Sequence, residues 1–346
     1  MNTIPIKKFL ELSKNKLVID VRTPAEYDNG HFTNAINIPV FSNSERAIVG
    51  TKYKKESRDT AIAKALEFFA AKTDHFLDEL QLRSPAKEVL IYCWRGGFRS
   101  AGMGQLFQSA GKKVYRLEGG YKAYRTDVLS TFKKKYNLLV LGGMTGSGKT
   151  DILEEIGKRN EQVIDLEGLA EHKGSAFGAL GQTDQPSIQQ FENDLAFHLN
   201  KLNNKQRIWV EDESRMIGKV KIPDDFFKQI RISKVIKLEV PLKQRINRLE
   251  IDYAKFDKEK LITSIENIAR RLGGLNTKSA IAALKQDDYH TSIDIVLAYY
   301  DKAYSFGLSK RAEQTVIPLK FESNDIKISA EKVIGFVKEN LTDKFC

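Results

Sequence analysis

Cysteine is nearly absent. The 346 residues contain two, Cys93 and Cys346, which excludes a disulfide framework or a cysteine-rich metal cluster. It suits a reducing compartment, where a thiol stays available for chemistry. Long apolar runs are missing too: no stretch approaches the roughly 20 residues of a membrane helix. The opening M-N-T-I-P-I-K-K-F-L has neither the apolar segment nor the small-residue cleavage site of a secretory signal. A cytoplasmic protein with no membrane partner is expected. Internal repeats, low-complexity tracts and a dense basic tail are absent as well.

An apolar fraction of 41% and a charged fraction of 29% are those of a globular chain, and the length suits two domains. The net charge of +11 is unevenly placed. Residues 1–136 hold 24 Lys and Arg against 14 Asp and Glu, leaving 32 against 31 for the rest. A basic front half points to a polyanionic partner, nucleic acid first among them.

L-V-I-D-V-R (17–22), V-L-I-Y-C (89–93) and V-Y-R-L (114–117) read as buried strands. Residues 61–72 and 100–111 have helical spacing, the latter closed by Gly111. Strands alternating with helices predict a parallel sheet in each of two α/β domains. The first spans residues 1–128 and a charged linker spans 129–136. The second spans 137–346, with strands at 137–141, 163–166, 207–210, 234–240 and 315–321. A helical region over about 261–311 and a last helix over 328–341 complete it.

G-G-M-T-G-S-G-K-T (142–150) holds the pattern G-x-x-x-x-G-K-[ST] as Gly143, Met144, Thr145, Gly146, Ser147, Gly148, Lys149 and Thr150. It sits between a predicted strand and a predicted helix, the context a phosphate-binding loop requires. Its N–H groups would cradle phosphate oxygens at a helix N-terminus. Lys149 would neutralise a terminal phosphate, and the Thr150 hydroxyl would hold Mg²⁺. A carboxylate at the end of a neighbouring strand should complete the metal site. Asp212 is the expected ligand, in competition with Glu211 and Glu213 of R-I-W-V-E-D-E-S-R, which also supplies Arg215. The loop 163–181 adds Asp165, Glu167, His172, Gly174 and Ser175; His172 alone reads more often as a structural histidine than as a functional one. Arg245 and Arg248 share one helical face just after a strand, where they either clamp phosphates or decorate an amphipathic helix.

Cys93 ends its strand, and Trp94, Arg95, Gly96, Gly97 and Phe98 lead into a helix near Ser100 and Arg99. A thiolate at a helix N-terminus is stabilised by inward N–H groups and nearby arginines. Cys93, Arg95 and Arg99 are therefore expected to do chemistry on an anion held by the loop. D-V-R-T-P-A-E-Y-D-N-G-H-F-T-N-A-I-N-I-P (20–39) and L-E-G-G-Y-K-A-Y (117–124) resemble the opening and closing signatures of the rhodanese domain, with Cys93 at its sulfur-carrying position. The usual loop has four residues between cysteine and arginine. W-R-G-G-F makes five, which leaves room for a bulkier anion, as in phosphatases of the same fold.

A rhodanese domain followed by a P-loop domain, with C-W-R-G-G-F-R-S, D-L-E-G-L-A-E-H-K-G-S-A-F-G and E-D-E-S-R-M-I-G in that order, resembles the bacterial tRNA 2-selenouridine synthases. The resemblance implies an α/β fold, a rhodanese-like domain joined to a P-loop NTPase-like domain with a parallel sheet and added helices. It implies an enzyme that replaces the sulfur of wobble 2-thiouridine, in the tRNA anticodon loop, with selenium from selenophosphate. Geranyl diphosphate is the implied second co-substrate, Mg²⁺ the implied metal, and a selenophosphate-producing enzyme an implied partner. Cys93 is expected to handle selenophosphate either as a transient perselenide or by binding alone, the covalent role being favoured. Tyr299, Tyr300, Tyr304, Arg270 and Arg271 are expected to stack on the wobble base, unless the tyrosines serve the core. Two rival readings are an ATP-dependent phosphotransferase with a regulatory or sulfur-transfer rhodanese module, and a non-catalytic tRNA-binding scaffold.

Overall fold

The computed structural model describes residues 1–84, 86–321 and 325–341; Cys346 lies outside them. Two compact units form, Met1–Thr131 with Glu192–Phe197, and Phe132–Phe191 with His198–Cys346. The helix Gly120–Thr131 runs through the first three residues of the segment expected as a linker.

In the first unit, β1 (Asn2–Ile4), β2 (Leu17–Asp20), β3 (Ile36–Asn37), β4 (Glu88–Tyr92) and β5 (Lys113–Leu117) form a parallel sheet in the order β1-β5-β4-β2-β3. β4 is buried along Val89–Tyr92, as a continuous apolar run in a sheet covered on both faces should be. Ile19, Val21, Val89 and Ile91 pack with Phe76, Leu80, Met103 and Phe107 on one side. Alternation sends Tyr92 to the other side, into edge contact with Phe9.

The second unit repeats the plan. β6 (Asn137–Gly143), β7 (Gln162–Ile164), β8 (Arg207–Glu211), β11 (Val235–Glu239) and β12 (Val316–Lys320) make a parallel sheet ordered β12-β11-β6-β8-β7. A short antiparallel pair, β9 (Met216–Ile217) and β10 (Val220–Lys221), stands apart from it. Leu139, Leu141, Trp209, Ile236 and Leu238 meet Ile152, Leu153 and Ile156 of the helix Lys149–Gly157, and Val333, Ile334 and Val337 of the helix Ile326–Asn340. β7 stops two residues earlier than its apolar letters suggest. Asp165 caps a short helix, Leu166–Leu169, by accepting from Gly168 N–H, and capping chemistry wins over apolar continuity.

Beneath the first sheet's carboxyl edge lies a buried ion pair. Arg22 Nη2 stands 2.6 Å from Asp20 Oδ2, both side chains fully buried. Its Nε also donates to Asp20, and its Nη2 to the Gly30 carbonyl. Removing one partner of such a pair strands the other charge without solvent. We expect Asp20→Ala to cost about 3–5 kcal/mol, read as a lower urea midpoint; a midpoint unchanged from wild type contradicts this.

Candidate functional site

The sulfur loop begins where β4 ends. Cys93 is buried, its Sγ 3.2 Å from Ser100 Oγ and 3.9 Å from the Gly97 carbonyl. Gly96 turns at φ +67°, and Gly97 opens the helix Phe98–Ser109. The turn at 117–121 supports the loop from below. Tyr121 N–H donates to the Cys93 carbonyl at 2.8 Å and Lys122 N–H to the Trp94 carbonyl at 3.1 Å. Gly120, at φ +59°, approaches so closely that a Cβ there would lie 2.3 Å from the Cys93 carbonyl and 2.5 Å from Gly96 N. No other residue fits.

Arg99 does not stand free above the sulfur. Its guanidinium holds both oxygens of Glu26, at 2.5 and 3.2 Å. Burial opposes ionisation of Glu26, but the Arg99 pair outweighs it and holds that carboxyl below its ordinary range. Glu26 also completes the capping box of Thr23. The spacing T-P-A-E announces the cap, yet nothing in it announces Arg99. Arg95 is exposed, so the expected pair of arginines is divided between one internal ion pair and one open cation.

In the second unit the phosphate loop takes the form its letters predict. Gly146 and Gly148 adopt φ +81° and +78°, and Gly148 precedes the helix Lys149–Gly157. Ser147 Oγ sits where a Cβ on Gly143 would meet it at 2.5 Å, buried and without a hydrogen-bond partner among the described residues. Lys149 Nζ donates to the Gly143 carbonyl at 3.1 Å, folded back on its own loop. Met144 and Thr145 contribute backbone: the Met144 carbonyl accepts from Ser147 N–H, and the Thr145 carbonyl from Arg245.

The three consecutive acids after β8 meet three environments. Glu211 is fully buried, accepts from Leu166 N–H at 2.8 Å and is pushed well up by burial. Asp212 is taken by Arg311 at 2.6 Å, with Arg231 at 3.6 Å and the Tyr304 hydroxyl donating at 3.2 Å. The expected metal ligand is thus engaged from behind by two arginines and a hydroxyl. Glu213 turns towards Glu167: a Cβ on Gly174 would meet oxygens of both, at 2.9 and 3.0 Å. Thr150 Oγ1 donates to Glu167 at 2.8 Å. Hydroxyl, Glu167 and Glu213 therefore form a hard oxygen donor set beside Lys149, of the chemistry Mg²⁺ prefers.

The remaining expected residues divide. Arg248 lies against Gly148, its guanidinium within 3.0 Å of where a Cβ would stand, and pairs with Asp151 at 2.5 Å. Arg245 is buried, held by Asp301 at 2.9 and 2.6 Å. Its contact with the Thr145 carbonyl braces the loop. Arg215 pairs with Asp224 at the surface, away from the donor set. His172 is buried and pushed down by burial, its Nδ1 accepting from Gly174 N–H; Ser175 Oγ accepts from Phe177 N–H. Both shape the loop. Tyr300 accepts from Ala176 N–H and packs with Tyr299 in an apolar cluster, while the Tyr304 hydroxyl donates to Asp212, so all three have structural contacts. Arg270 and Arg271 are exposed.

Burial and the adjacent Glu167 push Glu213 up to about 8 from 4.5, against Lys149. The folded state thus holds a proton that the unfolded chain has lost above 4.5. Its stabilising contribution is full below 4.5 and disappears as pH rises through about 8. Glu213→Gln should flatten the loss of thermal stability between pH 5 and 8 in metal-free buffer. An unchanged slope contradicts the assignment.

Residues 136–331 match the family model described as the tRNA 2-selenouridine synthase AAA domain, and residues 6–127 the rhodanese-like domain. Among curated relatives, a tRNA 2-selenouridine synthase of Shewanella frigidimarina is 34% identical over 88% of this chain and 92% of its own length. Another, of Sulfurovum sp., is 30% identical over 94% and 95%. One from Nitrosomonas europaea is 39% identical over 68% of this chain and 63% of its own. On this match across both units, the chain belongs to the tRNA 2-selenouridine synthase family.

Proposed function

We propose that this chain is a cytoplasmic tRNA-modifying transferase that converts wobble 2-thiouridine to 2-selenouridine in two steps. The observation that carries this reading is a pair of anion cradles in one chain, each at the carboxyl edge of a parallel sheet. One cradle holds a thiol, the other a lysine with a hydroxyl–carboxylate donor set. In the first step the thiocarbonyl sulfur attacks C1 of geranyl diphosphate. The C–O bond breaks and diphosphate leaves with the electron pair. Lys149 and the loop N–H groups stabilise the leaving charge. Thr150, Glu167 and Glu213 would hold Mg²⁺ there, and the ion would supply further charge neutralisation.

An apolar cavity of about 10 Å³, room for one water, lies near the phosphate loop, so a geranyl chain would have to displace its lining side chains to enter. Phe177, Tyr253, Leu261, Ile265, Leu284 and Val296 line it. Leu249 leads there from the phosphate loop, standing 3.1 Å from where a Cβ on Gly146 would be, and joins a cluster that includes Tyr253.

In the second step selenium of selenophosphate adds at C2, the geranyl thiolate leaves and takes a proton, and water removes the phosphoryl group as phosphate. Selenophosphate already carries selenium as selenide. A Cys93–Se bond would need an oxidant that neither step supplies, so the thiol acts by seating selenophosphate and holding a proton. The five-residue span from Cys93 to Arg99 gives room for it.

Mass spectrometry of thiolated tRNA incubated with geranyl diphosphate, then selenophosphate, tests the sequence. Lys149→Ala should slow geranylation by about 10²–10³. Cys93→Ser should leave geranylation intact and slow selenation by about 10²–10⁴, so that geranylated tRNA accumulates. Folded protein that yields neither product from intact tRNA refutes the reading. ATP turnover without prenyl transfer would favour a phosphotransferase instead.

A further inference from the structure

Two large rings flank the sulfur loop and take no part in the steps above. Trp94 is 38% exposed and Phe98 is 73% exposed. Between them a Cβ built on Gly97 would meet nothing within 4 Å, so the mouth of the loop is open. Arg95, in the same loop, is exposed and has no ion-pair partner among the described residues.

The Trp94 ring is held in place from within. Its centroid lies 5.8 Å from that of Tyr121 and 5.9 Å from the Arg22 guanidinium. The Phe98 ring has the exposed Arg58 guanidinium 5.9 Å from its centre. Single exposed apolar residues are ordinary. Two aromatics bracketing a thiol, in a glycine loop edged by two guanidinium groups, are not scattered exposure. Flat rings and arginine planes at an open mouth suit the face of an unstacked base, and free cations suit the phosphates on either side of it. This unit, residues 1–131 with 192–197, carries 21 basic against 16 acidic side chains, a positive balance that favours a polyanion. A duplex presents no free base face, so the occupant is single-stranded.

We propose that Trp94 and Phe98 form a stacking platform that holds a splayed-out nucleobase of an RNA loop beside Cys93, with Arg95 and Arg58 on its flanking phosphates. The platform rests on the reading of RNA as the substrate. It makes both aromatics positioning residues.

Fluorescence tests it directly. The chain has two tryptophans, and the other, Trp209, is fully buried, so quenching by RNA reports Trp94. An anticodon stem-loop should quench this emission, and a fully paired duplex of equal length should not. Trp94→Ala and Phe98→Ala should each weaken stem-loop binding about tenfold, the size of one lost stacked base. Trp94→Phe and Phe98→Tyr should restore most of it, with unchanged melting temperatures. Alanine variants that bind the stem-loop as wild type does, or equal quenching by the duplex, would overturn the platform. Binding is measured without either co-substrate, so the two readings fail separately. Quenching without product overturns the proposed reaction alone; both products with unquenched Trp94 overturn the platform alone.

Discussion

The sulfur loop depends on the buried pair of Asp20 and Arg22. Asp20 accepts from the Tyr92 hydroxyl at 2.7 Å, and Arg22 lies 3.8 Å over the Tyr121 ring. Tyr92 immediately precedes Cys93, and Tyr121 N–H binds the Cys93 carbonyl. One ion pair thus grips the strand entering the loop and the turn beneath it. A buried pair is a poor source of net stability, because desolvation cancels much of the attraction. What it provides is geometry: a charge that tolerates only one arrangement of its neighbours fixes a short glycine loop that has few contacts of its own.

The second unit solves a different problem, how to keep carboxylates apart. Three consecutive acids in one place would repel one another and lose their ionisation. The strand end sends Glu211 inward to cap a helix and Asp212 back to Arg311. Only Glu213 reaches the face where Glu167 and Thr150 wait. Asp212 is met by a guanidinium, and Glu211 by a backbone N–H on one oxygen, its buried Oε1 having no hydrogen-bond partner among the described residues. The remaining pair, sharing an environment that raises Glu213, is left to be relieved by a metal or by Lys149.

Legibility in the sequence follows the range of the interactions. The phosphate loop was readable because its glycines, lysine and threonine act through their own backbone within eight residues. The two parallel sheets were readable from apolar runs, and E-G-G-Y from its fit to a known signature. The role of Asp212 was not, since Arg311, Arg231 and Tyr304 come from 19 to 99 residues away. Arg99 and Arg245 looked like anion ligands because a guanidinium gives no local sign of the carboxylate it will meet. Glu26 and Asp301 lie 73 and 56 residues from them. Trp94 and Phe98 were read only as members of an anion loop, because exposure is a property of the fold and not of the letter.

Apart from the open Arg95, the cations of both cradles rest engaged internally. Arg99 is held by Glu26, Arg248 by Asp151, and Lys149 by the Gly143 carbonyl. An arriving anion must therefore exchange with contacts already made, so charge alone contributes little net affinity. Simple phosphate offers too little to displace them. A diphosphate that also inserts an apolar chain, or a base that also stacks, brings binding energy from groups remote from the charge. In this chain, selectivity among anions comes from what is attached to them.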